Sequence, residues 1–470
     1  MLYKRKFHIR LLVLALLLAE AVQAEEVFEL GRVKVTAEQE LPGLGTERID
    51  AEVLREENRE TVAEALDRIP GVTLNNFGPR NEQGVYVRGF DRRQVPVFID
   101  GIPIYVPYDG YVDLGRFTTY DLAEIDIDKS FSSVLYGSNT LGGAINLISR
   151  RPRRALEGEL GGGYTRGEIS GSDGARGWIN LGTNQGHWYA QFSGSYLKQD
   201  SFGLSDDYTA TRYEDGGLRE NAYRKDTKVN LKLGYTPSPK DEYALGYVNQ
   251  QGEKGTPPYA GEDSSVTTRF WQWPYWNKES LYGITQTDLG DGATLKSRLY
   301  YDIFENSLYS YDDKTYTTQT RRYAFQSWYD DYTYGASLEY GKPLGEHTLK
   351  LALNYKFDHH EEHDNVEPVR TFEDRSYSLA LEDTYQVDSR QSLVAGISYD
   401  VRDSVRAEGY ENGEIFDFKD NDTSAWNPQI GYFMELDSAN QGRVTLSRKT
   451  RLPTIKDRYS YRFGTALPNP

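Results

Sequence analysis

From about residue 156 onward, apolar and polar side chains alternate in long segments, among them "KVNLKLGYT", "YALGYVNQ", "LKSRLYYDIF", "ASLEYG", "RSYSLALEDTY" and "SLVAGISYDV". In "LKLALNYKF", Leu349, Leu351, Leu353, Tyr355 and Phe357 fall on one side; Lys350, Ala352, Asn354 and Lys356 fall on the other. A period of two is that of a β-strand, and apolar against polar or small is the signature of a barrel wall. The connections alternate in length as well. "TNQGH", "PSPKD", "LGDGA", "GKPLGEH", "DSRQ" and "DSANQG" read as short turns, and 200–225, 253–270 and 404–424 as long loops. Outer-membrane barrels have short periplasmic turns and long external loops, so the pattern also orients the wall. The segments number about 13, an odd count with the last, "GRVTLSRK", running outward, whereas bacterial single-chain barrels have even counts. The wall as given is therefore expected to be incomplete, stopping inside an external loop.

Upstream the texture differs. "RETVAEALDRIPGVTL" places Val62, Ala65, Leu66 and Ile69 at helical spacing, which Pro70-Gly71 ends. Short strands follow at "QGVYVRGF", "QVPVFIDGIPI", "EIDIDKS" and "AINLISRR". These predict a compact α+β unit at 46–152, ahead of the barrel region at 153–470. Residues 25–45 are polar and glycine-terminated, a tail and not a domain. Residues 1–24 carry Lys4, Arg5, Lys6 and Arg10, then an apolar run and small residues ending at Ala24, the plan of a secretory signal peptide. Beyond it no segment has the roughly 20 consecutive apolar residues of a membrane helix, which leaves a β-barrel as the only way to span.

Composition supports this reading: 37 Tyr, 44 Gly and 7 Trp accompany a hydrophobic content of only 38%. With no Cys, rigidity comes from closing a large sheet and not from disulfides. A net charge of −17 argues against a nucleic-acid partner. Neither a thiol nucleophile nor a G-x-S-x-G motif is present, so nothing suggests an enzyme and no catalytic residue or cofactor is assigned. In "YGSNTLGGAINLISRR", residues 136–151, Gly137 and Gly142 have phosphate-loop spacing. Gly143 and Ala144 stand where Lys and Ser/Thr are needed, however, and a strand follows where a helix is required. "DHHEEHD", residues 358–364, gathers His359, His360 and His363, but His360 to His363 is one residue short of H-E-x-x-H, and no metal site is assigned.

Four stretches of the α+β unit are specific: "LDRIPGV" (66–72), "VYVRGF" (85–90), "VFIDGIPI" (97–104) and "IDIDKSFSSVLYGSNTLGGAINLISRRP" (125–152). In this order they resemble the plug domain of the TonB-dependent outer-membrane receptors, and the terminal "LPNP" resembles a late motif of that family. The resemblance implies a transmembrane β-barrel of about 22 strands enclosing the plug, of which about 13 are present here, leaving on the order of 200 residues unaccounted for. Gly137, Gly142 and Gly143 then belong to the plug's closing strand. Arg150, Arg151, Arg153 and Arg154 sit where plug meets barrel, either as solvated linker charges or in specific pairs.

The family relationship further implies residence in outer-membrane lipid and a TonB partner that supplies energy through a TonB box. The matching segment is Val33, Lys34, Val35, Thr36 and Ala37, whose alternation suits strand addition to a sheet edge. The implied cargo is a ferric siderophore or similar iron chelate. Cobalamin, haem or another large ligand is the alternative, and a passive porin or surface-binding barrel is the alternative from a different class. Candidate ligand contacts on the plug apex are Phe77, Arg80, Tyr105, Tyr108 and Tyr111. Those on barrel loops are Arg269, Trp271, Trp273, Arg321 and Trp328, where guanidinium and aromatic groups can stack on a flat chelate. For the barrel set, an aromatic girdle at the outer interface is the other reading.

Overall fold

The computed structural model describes residues 26–32, 46–77, 80–129, 131–437 and 440–460. The expected signal peptide and the Val33, Lys34, Val35, Thr36, Ala37 segment lie outside them. Chain order in the first unit is β1 (Glu26–Val27), β2 (Thr46–Asp50), α1 (Ala51–Glu56), α2 (Val62–Leu66), β3 (Val72–Phe77), β4 (Glu82–Val87), β5 (Val97–Ile99), β6 (Ile102–Ile104), β7 (Leu122–Asp128) and β8 (Ala144–Arg151). Helix α2 opens on a capping box, in which Thr61 accepts from the Glu64 amide and Glu64 from the Thr61 amide. The expected helix is shorter than its apolar spacing suggests. It ends at Leu66, and the turn at Ile69 to Gly71, with Gly71 at φ +78°, leads into β3.

The main plug sheet runs β2-β7-β8-β5-β6, and β3 and β4 form a separate hairpin. Strand β8 is central: it pairs antiparallel with β7, parallel with β5, and at its far end with β1. It is buried from Ala144 to Arg150, as the "AINLIS" pattern requires of a strand covered on both faces. Gly143, just before it, has φ +115°, and a Cβ there would fall 1.8 Å from the carbonyl oxygen of Asp128. The glycine is thus required twice, by conformation and by contact.

The second unit is a curved antiparallel sheet of consecutive neighbours: β9 (Glu157–Thr165), β10 (Gly174–Asn184), β11 (Trp188–Gln199), β12 (Arg224–Tyr235), β13 (Glu242–Thr256), β14 (Trp271–Gly290), β15 (Ala293–Ser310), β16 (Phe325–Leu344), β17 (His347–Asp364), β18 (Arg370–Asp388), β19 (Gln391–Glu411), β21 (Thr423–Glu435) and β22 (Gln441–Ser447). The short β20 (Glu414–Asp417) extends β19 as a hairpin. Among the described residues the path ends at β9 and β22. The 13 strands on it match the sequence count. Two expected loops are shorter than predicted, because pairing continues to Thr256 on β13 and to Glu411 on β19.

Alternation is as read: Leu351 and Leu353 are 40% and 48% exposed on the outer face, while Ala352 between them is 3% exposed. Outward leucines such as Leu299, Leu338, Leu379 and Leu381 lie between two aromatic rows. Tyr235, Tyr340 and Tyr385 mark the short-turn end, and Tyr301, Tyr334 and Tyr377 the next row up. That is the surface a bilayer requires of a barrel. No helix among the described residues is long and apolar enough to cross a membrane.

The plug fills the concave side, and charge pairs hold it there. Asp100 meets Lys232 of β12 at 3.0 Å and the Tyr282 hydroxyl of β14 at 2.9 Å. Asp121 meets Lys228 at 2.8 Å and the Asn230 amide at 3.0 Å, and Arg116 meets Asp226 at 2.9 Å. The tail is also engaged. Phe28 and Leu30 are buried, Lys232 lies 3.4 Å from the Phe28 ring centre, and Arg32 bonds Glu124 and Asp126 of β7 at 2.7 and 2.8 Å. At the junction, Arg150 and Arg151 are specifically paired, with Glu159 at 2.6 Å and Glu242 at 3.1 Å, whereas Arg153 and Arg154 are exposed.

Gly143→Ala is expected to destabilise plug docking by at least about 1–3 kcal/mol of backbone strain, with the carbonyl clash in addition. Gly186→Ala, at φ +81° in an open turn, is expected to cost only about 1 kcal/mol. Thermal unfolding with proteolysis of the plug compares the two; equal losses contradict the packing role of Gly143.

Candidate ligand-binding site

At the long-loop end of the wall, three pieces of backbone converge. Arg80 precedes β4, whose first residue is Glu82. The 105–111 loop follows β6 and is closed by Val106 N–H to the Tyr111 carbonyl (3.0 Å) and Gly110 N–H to the Val106 carbonyl (2.8 Å). Gly110, at φ +74°, permits this turn. The third piece, helix α3 (Ile455–Tyr459), lies in a segment after β22 that turns inward over the plug. The Lys456 amide donates to the Tyr108 carbonyl at 3.1 Å.

The side chains form one charged aromatic cluster. Arg80 reaches Asp109 at 3.4 Å and Glu82 at 3.5 Å, and its guanidinium lies 5.2 Å from the ring centre of Trp273 on β14. Tyr111 donates to Glu82 at 3.1 Å, and its ring carries Arg92 at 3.3 Å and Arg93 at 5.2 Å. Lys456 meets Asp109 at 2.6 Å, and Lys254 of β13 meets Asp113 at 2.6 Å. Five cations (Arg80, Arg92, Arg93, Lys254, Lys456) thus face three carboxylates (Glu82, Asp109, Asp113). Burial pushes the Asp109 carboxyl up, but Lys456 and Arg80 outweigh it and hold it below the ordinary carboxylate range. Excess positive charge beside ring faces suits an anionic ligand with a flat body.

A model of the TonB-dependent receptor plug domain matches residues 40–144. Residues 40–144 thus carry a plug domain of the TonB-dependent receptor type. The chain is 31% identical over 125 residues to a vitamin B12 transporter BtuB of Photobacterium profundum, covering 25% of this chain and 21% of that one. To the ferric enterobactin receptor PirA of Pseudomonas aeruginosa it is 25% identical over 320 residues, covering 61% and 42%. Its fold matches a solved structure of the copper transporter OprC with a TM-score of 0.71 at 15% identity, covering 88% of this chain and 65% of that one. The matched regions thus span 21% and 42% of these two curated relatives.

The fold brings together some of the sequence-predicted residues and separates others. Arg80, Tyr111 and Trp273 share the apex cluster. Tyr105 lies lower, donating to Asp358 of β17 with Lys356 4.2 Å from its ring centre. Tyr108 anchors its loop, stacked on His360 at 4.7 Å and tilted on Tyr329 at 5.5 Å. Trp271 is buried at the start of β14 beneath Arg269, 5.3 Å from its ring centre, and its carbonyl accepts from Asn221 at 2.7 Å. Arg321 is exposed and donates to the Tyr323 hydroxyl at 3.2 Å. Trp328 stands on the opposite face of β16 from buried Ser327 and stacks on His363 at 4.7 Å, so it faces away from the plug. The side chain of Phe77 lies outside the described residues.

Sequence reasoning missed Glu82, Asp109, Lys254 and Lys456. Asp109 lies inside a singled-out loop, but Lys456 is 347 residues from it and no local pattern joins them. The histidine run is split by strand alternation. Asp358, His360 and Glu362 turn inward, with His360 2.6 Å from Asp331, and His359 pairs with Glu373 and Glu361 on the other face. Among the described residues, Glu214, Asp215 and Glu220 bring carboxylate oxygens within 4.8 Å of one another, with Arg219 paired to Glu214.

Since the Asp109 carboxyl is held below its unfolded value of about 3.9, its ion pairs contribute fully above about pH 4 and are lost as pH falls toward the folded value. Protection of the 105–111 loop from protease is therefore expected to be level between about pH 5 and 8 and to drop only below about pH 4. Asp109→Asn is expected to lose that protection at neutral pH. A midpoint near pH 6–7 contradicts the assignment.

Proposed function

We propose that the receptor takes up a ferric siderophore or similar anionic iron chelate across the outer membrane of a Gram-negative bacterium, energised by TonB acting on Val33, Lys34, Val35, Thr36 and Ala37. The observation that carries this reading is the apex cluster, where five cations outnumber three carboxylates beside Trp273 and Tyr111. An iron chelate that is anionic and flat gains from both features. Arg80, Tyr111 and Trp273 are the proposed contacts, with the Arg269, Trp271 and Arg321 loops at the rim. The outward leucines between aromatic rows suit outer-membrane lipid, with the long loops facing out. The plug and wall divide between Arg151 and Glu157 in this reading. A filled lumen favours energised transport over passive diffusion.

The similarity to a vitamin B12 transporter favours a second reading, cobalamin, but over only 125 residues. The apex charge separates the two, since cobalamin has no strongly anionic face. Cells producing the receptor are expected to accumulate a labelled ferric catecholate only when TonB is present. Arg80→Ala should weaken its binding on the order of tenfold, the value of one charge-assisted contact. Equal uptake without TonB sinks the transport reading; cobalamin binding that ignores Arg80→Ala, with no ferric catecholate bound, transfers the function to the second ligand.

A further inference from the structure

We infer that the cavity between plug and wall, which runs down from the apex past Arg92, Arg93 and Tyr111, holds at its lower end a binding site for a small single-ring aromatic carboxylate, anchored by Arg298. The cavity measures about 240 Å³. On the plug side it is bounded by Val97, Ile104, Tyr105 and Tyr136, and on the wall side by Arg298 and Tyr300. Arg298 lies on β15 toward its Ala293 end, with the apolar and aromatic side chains of Val97, Ile104 and Tyr136 on the plug side of the same cavity.

Arg298 is 6% exposed, and its Nε and Nη2 have no hydrogen-bond partner among the described residues. Arg402 of β19, which also lines the cavity, leaves Nε and Nη1 without a hydrogen-bond partner among the described residues too, but it lies 3.9 Å from Asp374. Arg298 differs more sharply from the lysines of the inner face. Lys228, Lys232, Lys254 and Lys278 each meet a carboxylate within 3.1 Å. The carboxylates at the cavity are mostly engaged: Asp358 by Tyr105, Thr333 and Lys356, Asp374 by Arg458, and Asp400 by Ser398 and Asn427. Glu339 on β16 also lines the cavity, but among the described residues no ion pair joins it to Arg298.

A buried guanidinium with unused donors is costly unless a partner supplies acceptors, and a carboxylate matches its fork with two parallel bonds. The volume selects the size. Drug-sized ligands occupy pockets of roughly 300–1,000 Å³, so about 240 Å³ admits one ring and excludes an intact chelate. The rings of Tyr105, Tyr136 and Tyr300 supply faces for an aromatic body.

The test uses the purified receptor without TonB, so it stands or falls independently of the uptake reading. Two probes, 2,3-dihydroxybenzoate and catechol, share a ring and differ in the carboxylate; calorimetry or equilibrium dialysis measures both. The expected result is a preference for dihydroxybenzoate on the order of tenfold or more. Arg298→Gln should abolish that preference, Arg298→Lys should keep part of it, and Glu339→Gln should strengthen it by removing a competing negative charge. Equal binding of the two probes, binding of neither, or a preference surviving Arg298→Gln overturns the proposal. So does a preference lost in Arg80→Ala but kept in Arg298→Gln, which places the anion at the apex. Glu339→Gln keeps the test decisive if the arginine variants fold poorly, because weaker dihydroxybenzoate binding in that variant counts against the site.

Discussion

Inside the barrel wall, the plug's acids are met one by one by the wall's lysines. Asp100 faces Lys232, Asp113 faces Lys254, and Asp121 faces Lys228, all buried and all with further hydrogen bonds. Desolvating two charges roughly cancels their attraction, so such pairs add little net stability. Removing one partner, however, strands the other at a cost of about 3–5 kcal/mol. The pairs therefore act mainly on specificity, because few orientations of the plug leave no buried charge alone. The hydrophobic contacts across the interface, such as Phe117 edge-on to Trp276 at 5.9 Å, add area without fixing register as sharply.

The apex inherits its geometry from this arrangement. Lys254 holds Asp113, and Asp113 accepts from the Gln83 amide, so the wall positions the same hairpin that carries Glu82. Asp109 is shared between Arg80 and Lys456, which links that hairpin to the segment entering from the far end of the wall. Arg458 continues the link outward to Asp374 on β18. The positive excess at the apex thus sits on a framework whose own charges are already balanced.

Much of the fold was legible because it is written with local periodicity. Leu349 to Phe357 declares a strand with one lipid face, and Gly142-Gly143 before "AINLIS" declares a tightly packed one. The helical spacing at Val62 to Ile69 gave the element but overran its end, where the turn before Gly71 takes over. The site was less legible. Arg80 and Tyr111 stood out by chemistry, but their partners are set by three-dimensional closure: Trp273 comes from the wall and Lys456 from beyond β22. Trp328 misled because composition does not state which face of a strand a residue takes, and a shift of one position moves it to the other side. The tail was read as polar and not as a domain, yet Phe28, Leu30 and Arg32 dock. Three side chains in a polar stretch carry too little pattern to announce that.

Arg32 has a mechanical consequence. It grips Glu124 and Asp126 of β7, and on the other side of residues 33–45 the chain resumes as β2, which pairs with β7 from Asp50 opposite Glu124 to Thr46 opposite Asp128. Both ends of that stretch are therefore tethered to one strand. A force applied along it is divided between two anchors: β2 on β7 at one end, and at the other Arg32 on β7 together with Glu26, Val27 and Gly31 on the central β8. Tension on either side of that stretch is therefore borne by the plug's central sheet.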